Sequence, residues 1–261
     1  FILFIYSLTS GSFMDGVKFM FTPNFNALNW DGVLTAMGLA CFTLSIGMGA
    51  IMAYGAYLPQ ETSITNATVS VVIADTSIAM LAGLVIFPLV FANGLNPGEG
   101  PDLVFKTLPL VFGQMQVGVF LATIFFLLLS FAALTSALGL MEPAVAWMVE
   151  STEYNRKQCA ATIASIIWFL GLGTALSFNT MADFKFLNGT IYENVDFLTS
   201  NIMLPLGGVF TTFFAAWIMS KNSTSEELGG HGIAYRIWRF LAKYFAPIAI
   251  LVIFLQAIGW I

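Results

Sequence analysis

An interruption within a membrane-length apolar run constrains this sequence more than any other feature. The apolar run at residues 33–58 is long enough to cross a bilayer, which takes about 20 apolar residues. The middle of this run, however, has the sequence FTLSIGMG at residues 42–49. Two glycines separated by one residue favour an unwound turn. Broken helices at this depth line cavities that hold ions and substrates, whereas Gly, Ser and Thr are also common where intact helices pack. The segment therefore predicts either a binding site at a broken helix or a close helix contact.

The composition places the chain in a lipid bilayer. Of its 261 residues, 58% are hydrophobic and 9% are charged, whereas a soluble domain carries about 25% charged residues. The net charge is −5, with no basic cluster along the sequence, which excludes nucleic acid as a partner. Cys41 and Cys159 lie in apolar runs and are expected to be small buried side chains. His231 has no second ligand nearby, so no metal site is predicted there.

Apolar runs between polar segments predict a single transmembrane domain over residues 1–261. A partial span covers residues 1–8, and full spans follow at about 33–58, 67–91, 117–149, 158–178, 198–220 and 238–260. Turn residues at 93–101 lead to a short amphipathic piece, which predicts an extracellular re-entrant or interfacial hairpin at about 95–116. Because the chain starts at Phe1, inside an apolar stretch and without Met, we expect a fragment of a longer protein.

The Lys and Arg residues sort the loops onto two sides of the membrane. The segments 58–66, 150–157 and 220–243 carry six of these cations: Arg156, Lys157, Lys221, Arg236, Arg239 and Lys243. The segments 9–32, 92–116 and 179–197 carry three: Lys18, Lys106 and Lys185. Because cytoplasmic loops are enriched in Lys and Arg, the first side is predicted to face the cytoplasm.

Three polar clusters lie within the predicted spans. The first comprises Thr43 and Ser45 at the interruption. The second is Asp75, a carboxylate that predicts a functional group at this depth or, alternatively, a residue near a helix end that reaches water. The third is the hydroxyl pair Thr135 and Ser136, which offers the hard oxygen ligands that suit Na⁺, unless the hydroxyls bond back to their own helix. Together the clusters predict an ion-coupled site.

These residues resemble the neurotransmitter:sodium symporter family, which has the LeuT-type inverted-repeat fold. Residues 42–49 are similar to the broken sixth helix of the family, and AGLVIF at 82–87 is similar to its seventh. AALTS at 132–136 with MEP at 141–143 resembles the eighth helix, and LPLVF at 108–112 resembles the fourth extracellular loop. The resemblance implies an all-α integral membrane protein, a multi-span bundle that forms the second half of the inverted repeat and contains a broken helix. It also implies that residues 1–8 end the fifth helix, that the last span is the eleventh, and that the earlier helices are absent.

The resemblance further implies which residues bind ions and substrate. The first sodium would be bound by Thr43 and by Asp75, where the family usually has Asn. The second sodium would be bound by the Ala132 carbonyl and the hydroxyls of Thr135 and Ser136. The side chains facing the substrate would be Phe42, Ser45, Met48, Ala137 and Leu140.

Two positions depart from the members of the family that require chloride. Those members carry Gln where this chain has Leu39 and Ser where it has Ala79, and neither Leu nor Ala can donate a hydrogen bond to an anion. A fixed negative charge at Asp75 would instead balance two cations in a low-dielectric site. We therefore expect a chloride-independent, bacterial-type member in the plasma (inner) membrane.

The sequence thus predicts a sodium-coupled symporter of hydrophobic or aromatic amino acids that works by alternating access. It predicts no enzyme activity and no cofactor beyond Na⁺ as the coupling ion. The expected partners are an amino acid, sodium ions and the lipid bilayer, and the oligomeric state stays open. One alternative is a non-transporting membrane sensor or scaffold subunit that keeps the fold. A channel is a weaker alternative, because no repeated carbonyl motif or ring of like charges would build a filter.

Overall fold

The computed structural model describes residues 2–9, 11–25, 28–97, 100–187, 189–230 and 232–260. The prediction for His231 falls outside these residues, as do Phe1, Ile261 and residues 98–99 of the predicted hairpin. Within the described ranges the chain is almost entirely helical, with an isolated antiparallel bridge between Phe186 and Gly189.

The helices follow one another along the chain with short connections. They are α1 (Ile2–Leu8), α2 (Phe13–Phe21), α3 (Trp30–Thr43), α4 (Ala50–Ala56), α5 (Ile64–Ala92), α6 (Leu103–Gln114), α7 (Gly118–Ser151), α8 (Arg156–Leu176), α9 (Ile191–Ile218), α10 (Lys221–Glu227) and α11 (Ile233–Ala257). In the described part of the chain, the helices long and apolar enough to cross a membrane are α5, α7, α8, α9 and α11. The predicted span at 33–58 corresponds to two separate helices, α3 and α4.

Some helices begin before the apolar runs from which spans were predicted. Helix α9 starts seven residues ahead of the predicted span at 198, because Thr190 and Glu193 form a reciprocal capping box. The Thr190 hydroxyl accepts from the Glu193 amide at 3.3 Å, and the Glu193 carboxylate accepts from the Thr190 amide at 2.7 Å. Asn155 and Gln158 cap α8 in the same way. These polar caps add turns that an apolar run does not reveal.

Large apolar side chains remain exposed on the membrane-length helices. On α8, five consecutive residues at 166–170 (IIWFL) are between 47% and 73% exposed. Five residues cover more than one full turn, so apolar side chains lie on every side of the helix here. In water such a surface would be unfavourable, whereas lipid tails solvate it. The pattern is that of a helix in contact with hydrocarbon.

The chain divides into two compact units. The first comprises Phe1–Leu28 and Val69–Thr135. Its core lies where the end of α5, helix α6 and the start of α7 meet, and its buried side chains are Leu89, Val90, Leu108, Val111, Phe112 and Leu121. The Phe112 ring packs against Phe125 and Phe126, with ring centroids 5.7 and 6.3 Å apart.

A proline inside α5 is compensated within this first unit. Pro88 has no N–H, so the carbonyl of Leu84, four residues earlier, lacks its helical partner. The hydroxyl of Ser7 on α1 donates to that carbonyl at 3.2 Å and to the Phe4 carbonyl at 2.8 Å. Ser7 is fully buried, and the ring of Pro88 packs directly on Gly16 of α2, where a side chain would not fit. Helices α1 and α2 therefore replace the bond and fill the space at the proline.

The second unit comprises Asn29–Thr68 and Ser136–Ile261. Its core lies among α3, α9 and α11, which bury Leu34, Leu204, Ile250 and Ile253. Cys159 is buried at the start of α8, and Cys41 is half-buried on α3. The connection between α3 and α4 also belongs to this unit, and it is not helical between Thr43 and Ala50.

Candidate functional site

The predicted break in the helix is present between α3 and α4. Helix α3 ends at Thr43 and α4 begins at Ala50, so residues 44–49 form an irregular turn. Ser45, Gly47 and Gly49 adopt left-handed backbone conformations with φ of 53°, 88° and 83°. Glycine adopts this conformation without steric cost, but Ser does not, so the turn at Ser45 must be held by its surroundings.

The turn is held by direct backbone contact with α9. A Cβ atom placed on Gly47 would lie 2.5 Å from the Leu204 carbonyl oxygen and would also meet the Gly208 amide nitrogen. In return, a Cβ atom placed on Gly207 would meet the Gly47 carbonyl oxygen. Because neither backbone leaves room for a side chain, glycine is required on both sides of this contact.

The break leaves several backbone groups available for a ligand. Among the described residues, no hydrogen-bond donor reaches the carbonyls of Thr43, Leu44, Ile46 and Met48. The amides of Gly47 and Gly49 likewise have no acceptor in the described part of the chain. Residues 44–49 are half-buried, so these groups are partly shielded from solvent. Carbonyl oxygens suit a cation and amides suit a carboxylate, and both kinds of group meet at this turn.

The two residues predicted for the first sodium belong to different units. Thr43, in the second unit, is exposed and its hydroxyl donates to the Ala40 carbonyl at 3.3 Å. Asp75, in the first unit, is half-buried on α5, about three turns from the start of the helix. Within the described ranges, Asp75 makes neither an ion pair nor a hydrogen bond. Asp75 therefore lies well inside α5, whereas the alternative interpretation required a residue near the end of the helix.

The residues predicted for the second sodium share one face of α7. Ala132, Thr135 and Ser136 are spaced by three and four residues, which places them one above the other. All three are exposed. The Thr135 hydroxyl donates to the Ala132 carbonyl at 2.9 Å. This is a bond back to its own helix, which was the alternative to sodium binding. This bond uses the hydroxyl proton and leaves the Thr135 oxygen lone pairs able to face a cation.

The residues predicted to face the substrate all lie in the second unit, where Tyr54 of α4 packs on Gly139 of α7. Phe42 is 49% exposed at the end of α3, and Ser45 and Met48 are half-buried in the turn. On α7, Ala137 and Leu140 are exposed. A Cβ atom on Gly49 would lie 3.2 Å from the ring of Pro143, so the turn ends within about one helical turn of Leu140.

A polar cluster that the sequence did not predict connects α4, α7 and α8. The Tyr57 hydroxyl at the end of α4 donates to Glu142 of α7 at 2.6 Å. Arg156 at the start of α8 donates to both oxygens of the same carboxylate at 2.7 Å. The Glu142 side chain is 20% exposed, and that of Arg156 is 58% exposed. The carboxylate of Glu142 inside an apolar run indicates that it needs a partner. Its partners could not be identified from the sequence, because they lie 85 and 14 residues away.

Comparison with known proteins identifies a family whose model covers nearly the whole chain. The model of the sodium:neurotransmitter symporter family matches residues 1–260. The uncharacterized sodium-dependent transporter YhdH of Bacillus subtilis is 35% identical, over 99% of this chain and 58% of that protein. An uncharacterized sodium-dependent transporter of Haemophilus influenzae is 30% identical, over 97% of this chain and 56% of that protein.

A solved structure shows the same fold. The crystal structure of MhsT in complex with L-phenylalanine matches with a TM-score of 0.87 and 39% sequence identity, over 98% of this chain and 59% of that chain. This likeness confirms the predicted all-α membrane bundle of the LeuT type with a broken helix. The chain spans less than two thirds of the length of these relatives.

Replacing Gly47 by Ala should destabilise the fold by about 2–4 kcal/mol. The new side chain would be strained by the positive φ and would press on the backbone of α9. The matched control is Gly171→Ala in α8, where a Cβ atom meets nothing within 4 Å; this change should be neutral or stabilise by up to about 1 kcal/mol. Thermal unfolding of both variants in detergent measures the difference. Equal melting temperatures would show that the Gly47 contact is not tight.

Proposed function

The chain belongs to the sodium:neurotransmitter symporter family, as its sequence predicted, and we propose that it forms part of a sodium-coupled symporter of hydrophobic or aromatic amino acids. The proposed mechanism is alternating access, in which the site opens to one face of the membrane at a time. We place the protein in the plasma (inner) membrane of a bacterium, with the segments 58–66, 150–157 and 220–243 in the cytoplasm. The proposed activity moves solutes without making or breaking a covalent bond.

The observation that carries this proposal is the turn at residues 44–49. Its unpaired carbonyls and amides would be costly in lipid, and the fold nevertheless preserves them by packing Gly47 against α9. A protein that needed only a packed helix here would gain stability from a continuous one. Retaining the break is therefore best explained by a ligand that uses these groups when it binds.

The proposed substrate class follows from the side chains beside the turn. Phe42, Met48 and Leu140 present apolar surface, while the backbone at the turn supplies groups for the amino and carboxylate ends of an amino acid. Met48 is unbranched and flexible, so it can adjust to side chains of different bulk. The structural relative MhsT was solved in complex with L-phenylalanine, which supports an apolar substrate for this chain as well.

The proposed coupling ions are two sodium ions. Thr43 and Asp75 would contribute to the first site, and Ala132, Thr135 and Ser136 to the second. The half-buried position of Asp75 and its lack of a charged partner in the described part of the chain favour a cation as that partner. With Leu39 and Ala79 unable to bind an anion, the charge of Asp75 would take the electrostatic role that chloride has elsewhere.

Uptake into proteoliposomes tests the proposed function. With the purified, reconstituted protein, an inward sodium gradient should drive accumulation of labelled L-phenylalanine, and an equal potassium gradient should not. Unlabelled hydrophobic and aromatic amino acids should compete, because the apolar wall and Met48 accept several side chains. Substrate binding without sodium-driven uptake would favour the sensor or scaffold alternative. Competition by glycine or charged amino acids alone would contradict the proposed substrate class.

Removing one hydroxyl of the second sodium site should weaken sodium dependence. Thr135→Val keeps the shape of the side chain but loses an oxygen ligand, so the sodium concentration for half-maximal uptake should rise about tenfold or more, equivalent to about 1.4 kcal/mol. Thr123→Val on the same helix is the matched control, because Thr123 is exposed and its hydroxyl also bonds back to α7, at 2.8 Å. Ser136→Ala should behave like Thr135→Val. Unchanged sodium affinity in both site variants would refute the assignment.

Neutralising Asp75 should make transport depend on chloride. Asp75→Asn keeps an oxygen ligand but removes the charge that we propose offsets the bound cations. The variant should transport poorly in chloride-free buffer, whereas wild type should not need chloride. Asp15→Asn, at an exposed position on α2, is the charge-matched control. Wild-type transport by Asp75→Asn in chloride-free buffer at every pH tested would leave Asp75 with a structural role only.

A further inference from the structure

A basic cavity lies where the end of α9, helix α10 and the start of α11 meet. Its volume is about 600 Å³, and its lining residues are Lys221, Tyr235, Arg236, Arg239, Phe240, Lys243 and Tyr244. Four of the nine Lys and Arg residues of the chain lie in this lining. The sequence suggested no basic cluster because these four are spread over two helices and 23 positions. The fold brings them together at one cavity.

Among the described residues, no carboxylate lines this cavity to balance its positive charge. Within the described ranges, none of the four cations forms an ion pair with Asp or Glu. The acidic residues of the same region are Glu226 and Glu227, which are exposed at the far end of α10 and do not line the cavity. Four like charges around one cavity repel one another, which an anion in the cavity would relieve.

One of the four cations is fixed in position by neutral partners. The Arg239 guanidinium donates to the Tyr235 hydroxyl at 2.8 Å, to the Thr224 hydroxyl at 3.2 Å and to the Ala216 carbonyl at 3.1 Å. The Tyr235 hydroxyl in turn donates to the Lys221 carbonyl at 3.1 Å. These bonds connect α9, α10 and α11 and hold Arg239 half-buried without cancelling its charge. The cavity therefore has a preorganised cationic wall.

The cavity lies beside the end of the membrane-length helix α9 and along the first turns of α11. Helix α9 ends at Ile218, next to Trp217, whose ring lies 4.1 Å from the Lys243 ammonium group. Tyr244 contributes a second ring, with its centroid 5.4 Å from the same nitrogen. Trp and Tyr concentrate at the interface between hydrocarbon and water. In the lining of the cavity, the rings of Phe240 and Tyr244 are 62% and 47% exposed, which provides an apolar rim.

From this combination we propose that the cavity binds the phosphate-bearing headgroup of an acidic phospholipid. The four cations match the phosphate, and the exposed rim of Phe240 and Tyr244 matches the beginning of the acyl chains. Basic sites between helices on the cytoplasmic side bind such headgroups, and the segment 220–243 carries the charge expected of that side. A free phosphate ion would use the same cations but not the apolar rim. An acidic peptide would need no hydrocarbon beside it.

Native mass spectrometry of the purified protein in detergent tests the proposal. Titration with phosphatidylglycerol should give a saturable bound lipid, and phosphatidylcholine with the same acyl chains should bind much more weakly. Replacing Lys221, Arg236 and Lys243 by Gln should lower the phosphatidylglycerol affinity on the order of 100-fold, at about fivefold for each removed cation. Arg239 is kept, because it holds three helices together.

The control removes the same charge elsewhere. Lys18→Gln, Lys157→Gln and Lys185→Gln, at exposed positions outside the cavity, are combined in one protein that should bind phosphatidylglycerol like wild type. An equal loss in both triple variants, or no loss in the cavity variant, would overturn the proposal. If the cavity triple variant does not fold, the single variants Lys221→Gln and Lys243→Gln replace it. Each should lower the phosphatidylglycerol affinity about fivefold, and unchanged affinity in both would overturn the proposal.

Two further titrations distinguish the source of the anion. Millimolar inorganic phosphate should not displace phosphatidylglycerol; displacement would assign the cavity to a soluble phosphate. A glutamate-rich peptide should not bind in the absence of lipid; binding that the cavity triple variant loses would assign the cavity to an acidic protein partner. Sodium-driven uptake takes no part in these measurements, so their outcome is independent of the proposed transport function.

Discussion

Every amide and carbonyl of a backbone inside a bilayer needs a partner in the protein, because hydrocarbon supplies none. The long helices meet this requirement through their own bonds, and at Pro88 the hydroxyl of Ser7 reaches the carbonyl that the proline leaves unpaired. Residues 44–49 meet this requirement only in part. Their backbone presses on α9 through Gly47 and leaves other carbonyls and amides available. The rest of the second unit holds this turn in place.

Stability and the proposed ligand binding therefore depend on the same contact. Gly47 and Gly207 let the two backbones approach without side chains, and this approach fixes the turn that carries Ser45 and Met48. On the other side, Gly49 packs on Pro143 of α7. A turn held between two long helices can keep unpaired groups at fixed positions, which a flexible loop cannot. Its fixed geometry is what would make the unpaired carbonyls useful to an ion.

The sequence predicted the break, because its signal is local: two glycines and two hydroxyls inside an apolar run. It did not predict what holds the break, since Gly207 lies 160 residues away and its glycine reads as ordinary helix packing. The start of α9 was also missed, because the capping box of Thr190 and Glu193 adds polar turns that carry no apolar signal. The Tyr57–Glu142–Arg156 cluster was not predicted either, because the partners of Glu142 lie 85 and 14 residues away along the chain. Local pattern identifies the irregular element, and only the fold supplies its long-range partners.

The charged residues carry two kinds of information. Six cations on one set of loops predict which side faces the cytoplasm, and four of those six line the cavity beside α10. The rule that predicts the cytoplasmic side only counts the Lys and Arg residues of each loop, and their exact positions do not matter to it. The bonds of Arg239 to Tyr235, Thr224 and the Ala216 carbonyl show that one of them has a defined position. Charges that orient a membrane protein need only be on the correct side, whereas charges that bind a headgroup must also converge. The convergence of these four is why we assign them a binding role in addition to an orienting one.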